Sequence, residues 1–332
     1  MWSCKERGGM KVTASGSIYE VLVVMPGNVW QHAAGDSVRA CMEADMPCMP
    51  QVEPYFKLMH TTPEFFDDAL KSTRNILFVD INPARYTQTK VTYHTDVYAH
   101  PQAFCRVQCS TGDDFLAFYS THKEQIRRWF VQQEIERQGV FYRNYQSTPA
   151  RYAVQHRFSS DIRIPADYQL LRDTAYTLSD GQPVKLVWCV NNGGSMRRDL
   201  LIWSYPYTDA NTFTEEYLLS RRDEVVGGNI SGQIAGSFVG TEHKHIHPQL
   251  NAINVHGAYC AEIRGLWKLY EGESMGGPFV QHTRLDELGQ QVITAEVMIF
   301  APGQKKRNAL RQAEAILYTL QLPEELMIKE KI

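Results

Sequence analysis

Three histidines alternate with other residues in His243-Lys244-His245-Ile246-His247. Alternate positions on a strand share one face, and imidazole is a common ligand of zinc and other transition metals. On a straight strand the outer pair stands about 13 Å apart, so one ion takes only neighbours such as His243 and His245. A third ligand would come from His256, His282 or Glu242. Lys244 adds a repelling charge and Pro248 marks a loop, so a solvated, weakly basic edge segment is the competing reading.

A second constellation is aromatic. Gly272-x-x-Met275-Gly276-Gly277-Pro278-Phe279 joins two expected strands. Its glycines permit either close approach of a ligand or a tight hairpin. With Trp267, Arg264, Tyr205 and Tyr207, this segment forms a candidate groove for a glycan or peptide, because aromatic faces and arginine are favoured contacts. The same residues packed in a core are the alternative. Catalytic signals are weaker: Ser195 in Asn191-Asn-Gly-Gly-Ser195 lacks the strand, elbow and helix of a hydrolase nucleophile and reads as a polar turn. Lys305-Lys306-Arg307 opens the last expected helix, where positive charge opposes the dipole, and reads as a solvated face.

The seven cysteines include no Cys-x-x-Cys pair, which leaves a zinc ribbon or thioredoxin-like motif without support. Cys4 follows Met1-Trp2-Ser3 and precedes the polar stretch Lys5-Glu6-Arg7-Gly8-Gly9. That pattern is similar to a bacterial lipobox, in which a small residue precedes a cysteine that is acylated to anchor the protein in a membrane. Three residues cannot hold the apolar core of about 7 to 15 residues that a signal needs. Lipidation at Cys4 therefore implies a start codon upstream of Met1 or a shortened chain. The other six cysteines fit either an oxidising periplasm or six buried thiols. Cys105 and Cys109 would lie about 13 Å apart on one strand and do not pair.

Something must position these residues, and composition bounds it. The chain has 332 residues, 43% hydrophobic and 21% charged, which is ordinary for a globular protein and excludes collagen-like, coiled-coil and wholly disordered chains. A net charge of −3 gives no support for a nucleic-acid partner. Ile18–Met25 and Asn75–Ile81 are near-continuous β-branched runs, the mark of strands buried on both faces. Ala34, Val38, Cys41 and Met42 fall at helical spacing, and Phe115 to Phe130 mark a long amphipathic helix opened by Asp113 and Asp114 and running to about Gly139. Beyond residue 185, strands are expected at Leu186–Val190, Leu200–Tyr205, Ala258–Leu269, Phe279–Arg284 and Ile293–Phe300. A helix capped by Thr212-x-x-Glu215 and a final helix from Ala309 to Leu320, closed by Pro323, complete this half.

The expected fold is α+β, with two related α/β subdomains whose mixed or antiparallel sheets are flanked by amphipathic helices. Residues 1–16 read as a flexible tether, 17–145 as the N-terminal subdomain, 146–185 as a connecting segment and 186–325 as the C-terminal subdomain.

Five separated motifs then occur in order. They are Gly16-x-Ile18-Tyr-Glu-Val-Leu-Val-Val24, Tyr205-Pro-Tyr-Thr-Asp209 with Asn211-Thr-Phe-Thr214, Gly265-Leu-Trp267 with Met275-Gly-Gly-Pro-Phe279, Lys306-Arg-Asn308, and Arg311-Gln-x-Glu314-Ala-x-Leu-Tyr-Thr-Leu320. Over about residues 16 to 325 the chain resembles the domain-of-unknown-function family numbered 4837, found among envelope lipoproteins of Bacteroidetes. The resemblance implies a lipoprotein-type export signal and carries over no activity, substrate or catalytic residue. The resulting expectation is an outer-membrane lipoprotein on the periplasmic face, with the cell surface as the other location. It would act as a non-catalytic binding or assembly factor for an envelope protein or glycan. The competing class is a hydrolase of envelope glycan or peptide, which would need a pocket joining distant carboxylates, histidines or Arg264.

Overall fold

A computed structural model describes residues 11–329. Cys4, the expected lipidation site, lies outside the described residues. The chain divides into two units. One contains the residues up to Asp45 together with Pro54–Arg137, and the other contains Met46–Glu53 together with the chain from Gln138 onward.

The first unit contains β1 (Val12–Thr13), β2 (Glu20–Val24), α1 (Gly27–Trp30), α2 (Ala33–Met42), β3 (Lys57–Thr61), α3 (Asp68–Lys71), β4 (Asn75–Ile81), β5 (Lys90–Thr95), β6 (Ala99–His100), β7 (Ala103–Cys109) and most of α4 (Gly112–Asn144). Its main sheet runs β3-β2-β4-β7-β5, with the first four strands parallel and β5 antiparallel. Strands between helices are buried on both faces, which is why β2 and β4 read as unbroken apolar runs. One face carries Val21, Val23, Leu77, Val79, Cys105 and Val107, packed with Val38, Phe115, Tyr119, Ile126 and Phe130 of α2 and α4. The other carries Leu22, Val24, Ile76 and Phe104, against Phe66 and Phe78. At the start of α4, Thr111 Oγ1 accepts from the Asp114 amide at 3.1 Å while Asp114 Oδ2 accepts from the Thr111 amide at 3.1 Å, a reciprocal cap. Buried Glu134 takes Arg74, Arg137 and Asn75 at 2.7–3.0 Å.

The second unit contains the end of α4, then α5 (Thr148–Phe158), β8 (Gln169–Thr177), β9 (Pro183–Asn191), β10 (Arg197–Pro206), α6 (Glu215–Asn229), β11 (Phe238–Glu242), β12 (Gln249–Val255), β13 (Ala258–Tyr270), β14 (Gly276–Asp286), β15 (Gln291–Phe300), α7 (Arg307–Leu317) and α8 (Pro323–Lys329). An antiparallel sheet runs β11-β13-β14-β15-β10-β9-β8, and β12 also pairs with β13. One face packs Leu201, Trp203, Tyr205, Trp267 and Phe279 with Leu218, Val225 and Val226 of α6. The opposite face receives α7. Glu53 caps α7 from far away in sequence: its carboxylate accepts from the Lys306 amide at 2.7 Å and the Arg307 amide at 3.0 Å. It supplies the negative charge that the basic start of this helix otherwise lacks.

Helices with mixed and antiparallel sheets make the chain α+β. Several local expectations need correction. The two sheets differ in strand order and direction, so the subdomains are not copies of one unit. Residues 146–185, expected to connect the halves, instead carry α5 and β8; β8 is exposed along nearly its whole length and offers no hydrophobic period to read. The helix expected to be capped at Thr212 is capped at Thr214, whose hydroxyl accepts from the Tyr217 amide at 3.4 Å. Pro323 opens α8 rather than closing the helix before it.

Candidate functional site

The expected site residues fall into three places. His243, His245 and His247 lie in the bend between β11 and β12, not on a strand, because β11 ends at Glu242. His243 Nε2 stands 3.8 Å from Asp223 and His245 Nδ1 stands 3.4 Å from Glu242. Among the described residues no three His, Cys, Asp or Glu side chains are grouped to hold a metal ion. The six described cysteines are buried free thiols. Exposed Ser195 accepts from the Gln304 side chain.

The candidate groove residues are divided between the faces of the second sheet. Trp267, Phe279 and Tyr205 are buried together in the core against α6, with Tyr207 and Met275 packed on its margin. Trp267 Nε1 donates to the Ile299 carbonyl at 3.2 Å. A Cβ on Gly277 would stand 1.9 Å from that same carbonyl, and one on Gly276 would stand 2.6 Å from the Trp267 carbonyl. These glycines therefore allow neighbouring strands to approach. Arg264 is three positions from Trp267, and strand alternation turns it to the opposite face.

On that face it joins a buried ionic cluster. Arg264 bonds both oxygens of Glu262 at 2.9 and 2.8 Å and pairs with Glu314 of α7, while Arg311 holds Glu314 at 2.9 Å. His282 lies opposite Glu262 in the ladder, with Nε2 3.5 Å from its carboxylate, and meets the edge of the Tyr318 ring at 4.7 Å. Burial pushes the Glu262 carboxyl up, but Arg264 and His282 overcome this and hold it far below its ordinary range. On the α6 face, Arg222 grips Glu296 at 2.9 and 2.7 Å and lies 3.7 Å above the Phe279 ring. Burial lifts Glu296 to about 7, with Arg222 opposing. Each of these charges faces an opposite one, an arrangement that fixes strand and helix positions.

The residues best placed to receive a ligand lie elsewhere in the same unit. Gln138, Phe141 and Tyr142 are spaced i, i+3 and i+4 on α4, so they share one face, and Tyr145 follows just past the helix end with its ring stacked on Phe141. That face lines a cavity of ≈ 350 Å³ with Pro165–Tyr168, Asn191, Arg198, Gln312 and Ala313. Backbone bonds fix the loop: the Ala166 amide donates to the Tyr145 carbonyl and the Tyr168 amide to the Pro165 carbonyl, both at 3.0 Å. Asn191 and Arg198 face each other across the β9–β10 ladder. Tyr142 donates its hydroxyl to the Gln312 carbonyl at 2.9 Å, and Asn191 donates its amide to Asp167 at 2.5 Å.

Two cavity groups are left over. Tyr168 is 4% exposed and its buried hydroxyl has no hydrogen-bond partner among the described residues. Burial pushes its pKa well up, with Tyr142 and Asp167 adding to the shift and Arg198 opposing it. Among the described residues the Arg198 guanidinium reaches only Asn191 Oδ1 at 3.5 Å and Met196 Sδ at 3.9 Å. Phe141 and Tyr145 stack at 4.9 Å while remaining 53% and 58% exposed. Sequence reading missed this site because residues 140–185 show no clean period as a block. The spacing from Gln138 to Tyr145 is the signal that could have found it.

Residues 147–319 match the family described as Domain of unknown function (DUF4837), and residues 14–143 match a second, Domain of unknown function (DUF8532). The likeness expected over residues 16 to 325 is thus confined to the C-terminal part, and the N-terminal part follows another family. No curated protein matches the chain. Because the first match takes in just over half of the 332 residues, with every strand of the antiparallel sheet inside it, the chain belongs to the DUF4837 family.

Proposed function

We propose that this chain is a non-catalytic binding protein, anchored at the outer membrane through acylated Cys4, whose ligand seats in the cavity beside the end of α4. The observation that carries the reading is that cavity: an aromatic wall and a buried hydroxyl without a partner, around a guanidinium that no carboxylate holds among the described residues. Concave, mostly apolar sites with a few convergent polar groups are the usual form of small-ligand sites. The buried acids and bases that a hydrolase would use are instead committed to one another, Glu262 to Arg264 and Glu296 to Arg222. The Ser3-Cys4 pattern supports the anchor.

Saturation-transfer NMR of the whole chain with mixtures of envelope glycan fragments and short peptides tests the reading. A bound compound recovered intact, whose signal is lost in Tyr145→Ala, supports it. A compound recovered cleaved favours the hydrolase. Mass spectrometry of the N-terminal peptide from fractionated envelopes tests the anchor, and an unmodified Cys4 removes it.

A further inference from the structure

We propose that the cavity recognises a single carboxylate carried on a flat apolar body, supplied either by a free aromatic acid or by the C-terminal residue of a peptide. The proposal rests on the binding reading above and names the ligand chemistry of the same site.

The charge requirement comes from Arg198. A guanidinium has five donors in a rigid fork that matches a carboxylate. Among the described residues those of Arg198 reach only a side-chain carbonyl at 3.5 Å and a thioether at 3.9 Å. Its chain neighbour Arg197, on the opposite face of the strand, shows the usual solution, gripping Asp199 with two bonds of 2.8 Å. Within the described residues no carboxylate lies within ion-pair distance of Arg198. Asp167, on the same cavity wall, has one oxygen taken up by Asn191 at 2.5 Å. Its negative charge repels a dianion such as phosphate more strongly than a monoanion, which ranks the monoanion above it.

Tyr168 supplies a second, independent donor. Leaving a buried hydroxyl unpaired costs stability in the empty protein. A ligand carboxylate would set one oxygen against Arg198 and, once the Tyr168 hydroxyl, closed to solvent here, turns into the cavity, the other against that hydroxyl. The body of the ligand is set by the rim. Phe141 and Tyr145 present stacked, half-exposed rings beside Pro165 and Ala166, and aromatic faces of this kind favour an offset or edge-on ring. The volume of ≈ 350 Å³ suits one ring with a short side chain.

Calorimetric titration of the whole chain with 3-phenylpropionate, N-acetyl-L-phenylalanine and the carboxamide of each tests the proposal. Both acids are expected to bind at least about tenfold more tightly than their amides. Equal binding of the two acids identifies a free acid as sufficient, whereas binding of N-acetylphenylalanine alone identifies a peptide C-terminus. Arg198→Gln should weaken the acids roughly ten- to a hundredfold and leave the amides unchanged. Tyr168→Phe should weaken the acids about fivefold while raising the melting temperature of the empty protein by roughly 2–4 °C. That opposite pair of effects separates a binding role from a packing role. Acids and amides binding equally, or Arg198→Gln binding the acids as the wild type does, overturns the proposal and leaves the binding reading standing. If the acids fail at millimolar concentration while a neutral glycan or peptide binds, the proposal alone falls. Failure of every probe removes both.

Discussion

The parallel sheet of the first unit fills its two faces with aliphatic and aromatic side chains, whereas the antiparallel sheet of the second buries paired charges on both of its faces. Apolar packing is non-directional and tolerates repacking of similar volume. A bidentate pair such as Arg222 with Glu296, or Arg264 with Glu262, has one productive geometry, and losing either member strands a charge away from water. The pairs also act on register. A slip of β13 by one residue against β14 would turn Glu262 and Arg264 into the aromatic core and part them from His282. Both sheet faces of the first unit are therefore held chiefly by area, its buried Glu134–Arg74–Arg137 group sitting at the start of β4, and those of the second by area together with matched charge.

The sharpest way to break this contrast is Arg222→Met. Glu296 would be left buried and alone, at a cost of about 3–5 kcal/mol, read by chemical denaturation through the fluorescence of Trp188, Trp203 and Trp267. Because burial already raises this carboxyl to about 7, its ionisation at higher pH opposes folding. The loss should therefore be smaller at about pH 5 than at about pH 8, and Arg222→Met combined with Glu296→Leu should recover most of it. A loss that did not change with pH would show that packing, not charge, is at stake. In the first unit, Leu77→Ala should cost about 2–5 kcal/mol through the cavity it leaves, followed by Trp30 and Trp129, with no such pH dependence. Glu53→Ala should cost about 0.5–2 kcal/mol by uncapping α7; hydrogen exchange in the first turn of α7 checks it. An effect confined to acid pH concerns Glu325, held at about 2 against burial by His256 and Arg284. Its contribution is present above its ordinary value of 4.5 and is lost as pH falls toward about 2, so Glu325→Gln should flatten the acid limb of the stability curve.

The contrast also explains what could be read from sequence. Glu20–Val24 and Asn75–Ile81 announce themselves because a strand covered on both faces is apolar at successive positions, here Val21–Val24 and Ile76–Val79. Ala261, Glu262, Ile263 and Arg264 alternate just as a strand with one wet face would, so their burial as an ion pair was hidden. Arg264 and Trp267 looked like partners in a groove because spacing in sequence does not show which face of a strand each occupies. Arg198 and Tyr168 were invisible for a related reason. What sets them apart is that among the described residues the Tyr168 hydroxyl has no hydrogen-bond partner and Arg198 no carboxylate, and a missing partner is a property of three-dimensional surroundings.

The cap on α7 has a consequence in time. Glu53 precedes the amides it caps by 253 and 254 residues. A ribosome adding roughly 5–20 residues per second presents the carboxylate roughly 13–50 s before the helix that needs it. The first unit has all its described residues once Arg137 has emerged, whereas the second must retain an early loop until Lys306 and Arg307 have been made. A fragment starting at Gln138 would never receive that carboxylate, however long it was given to fold.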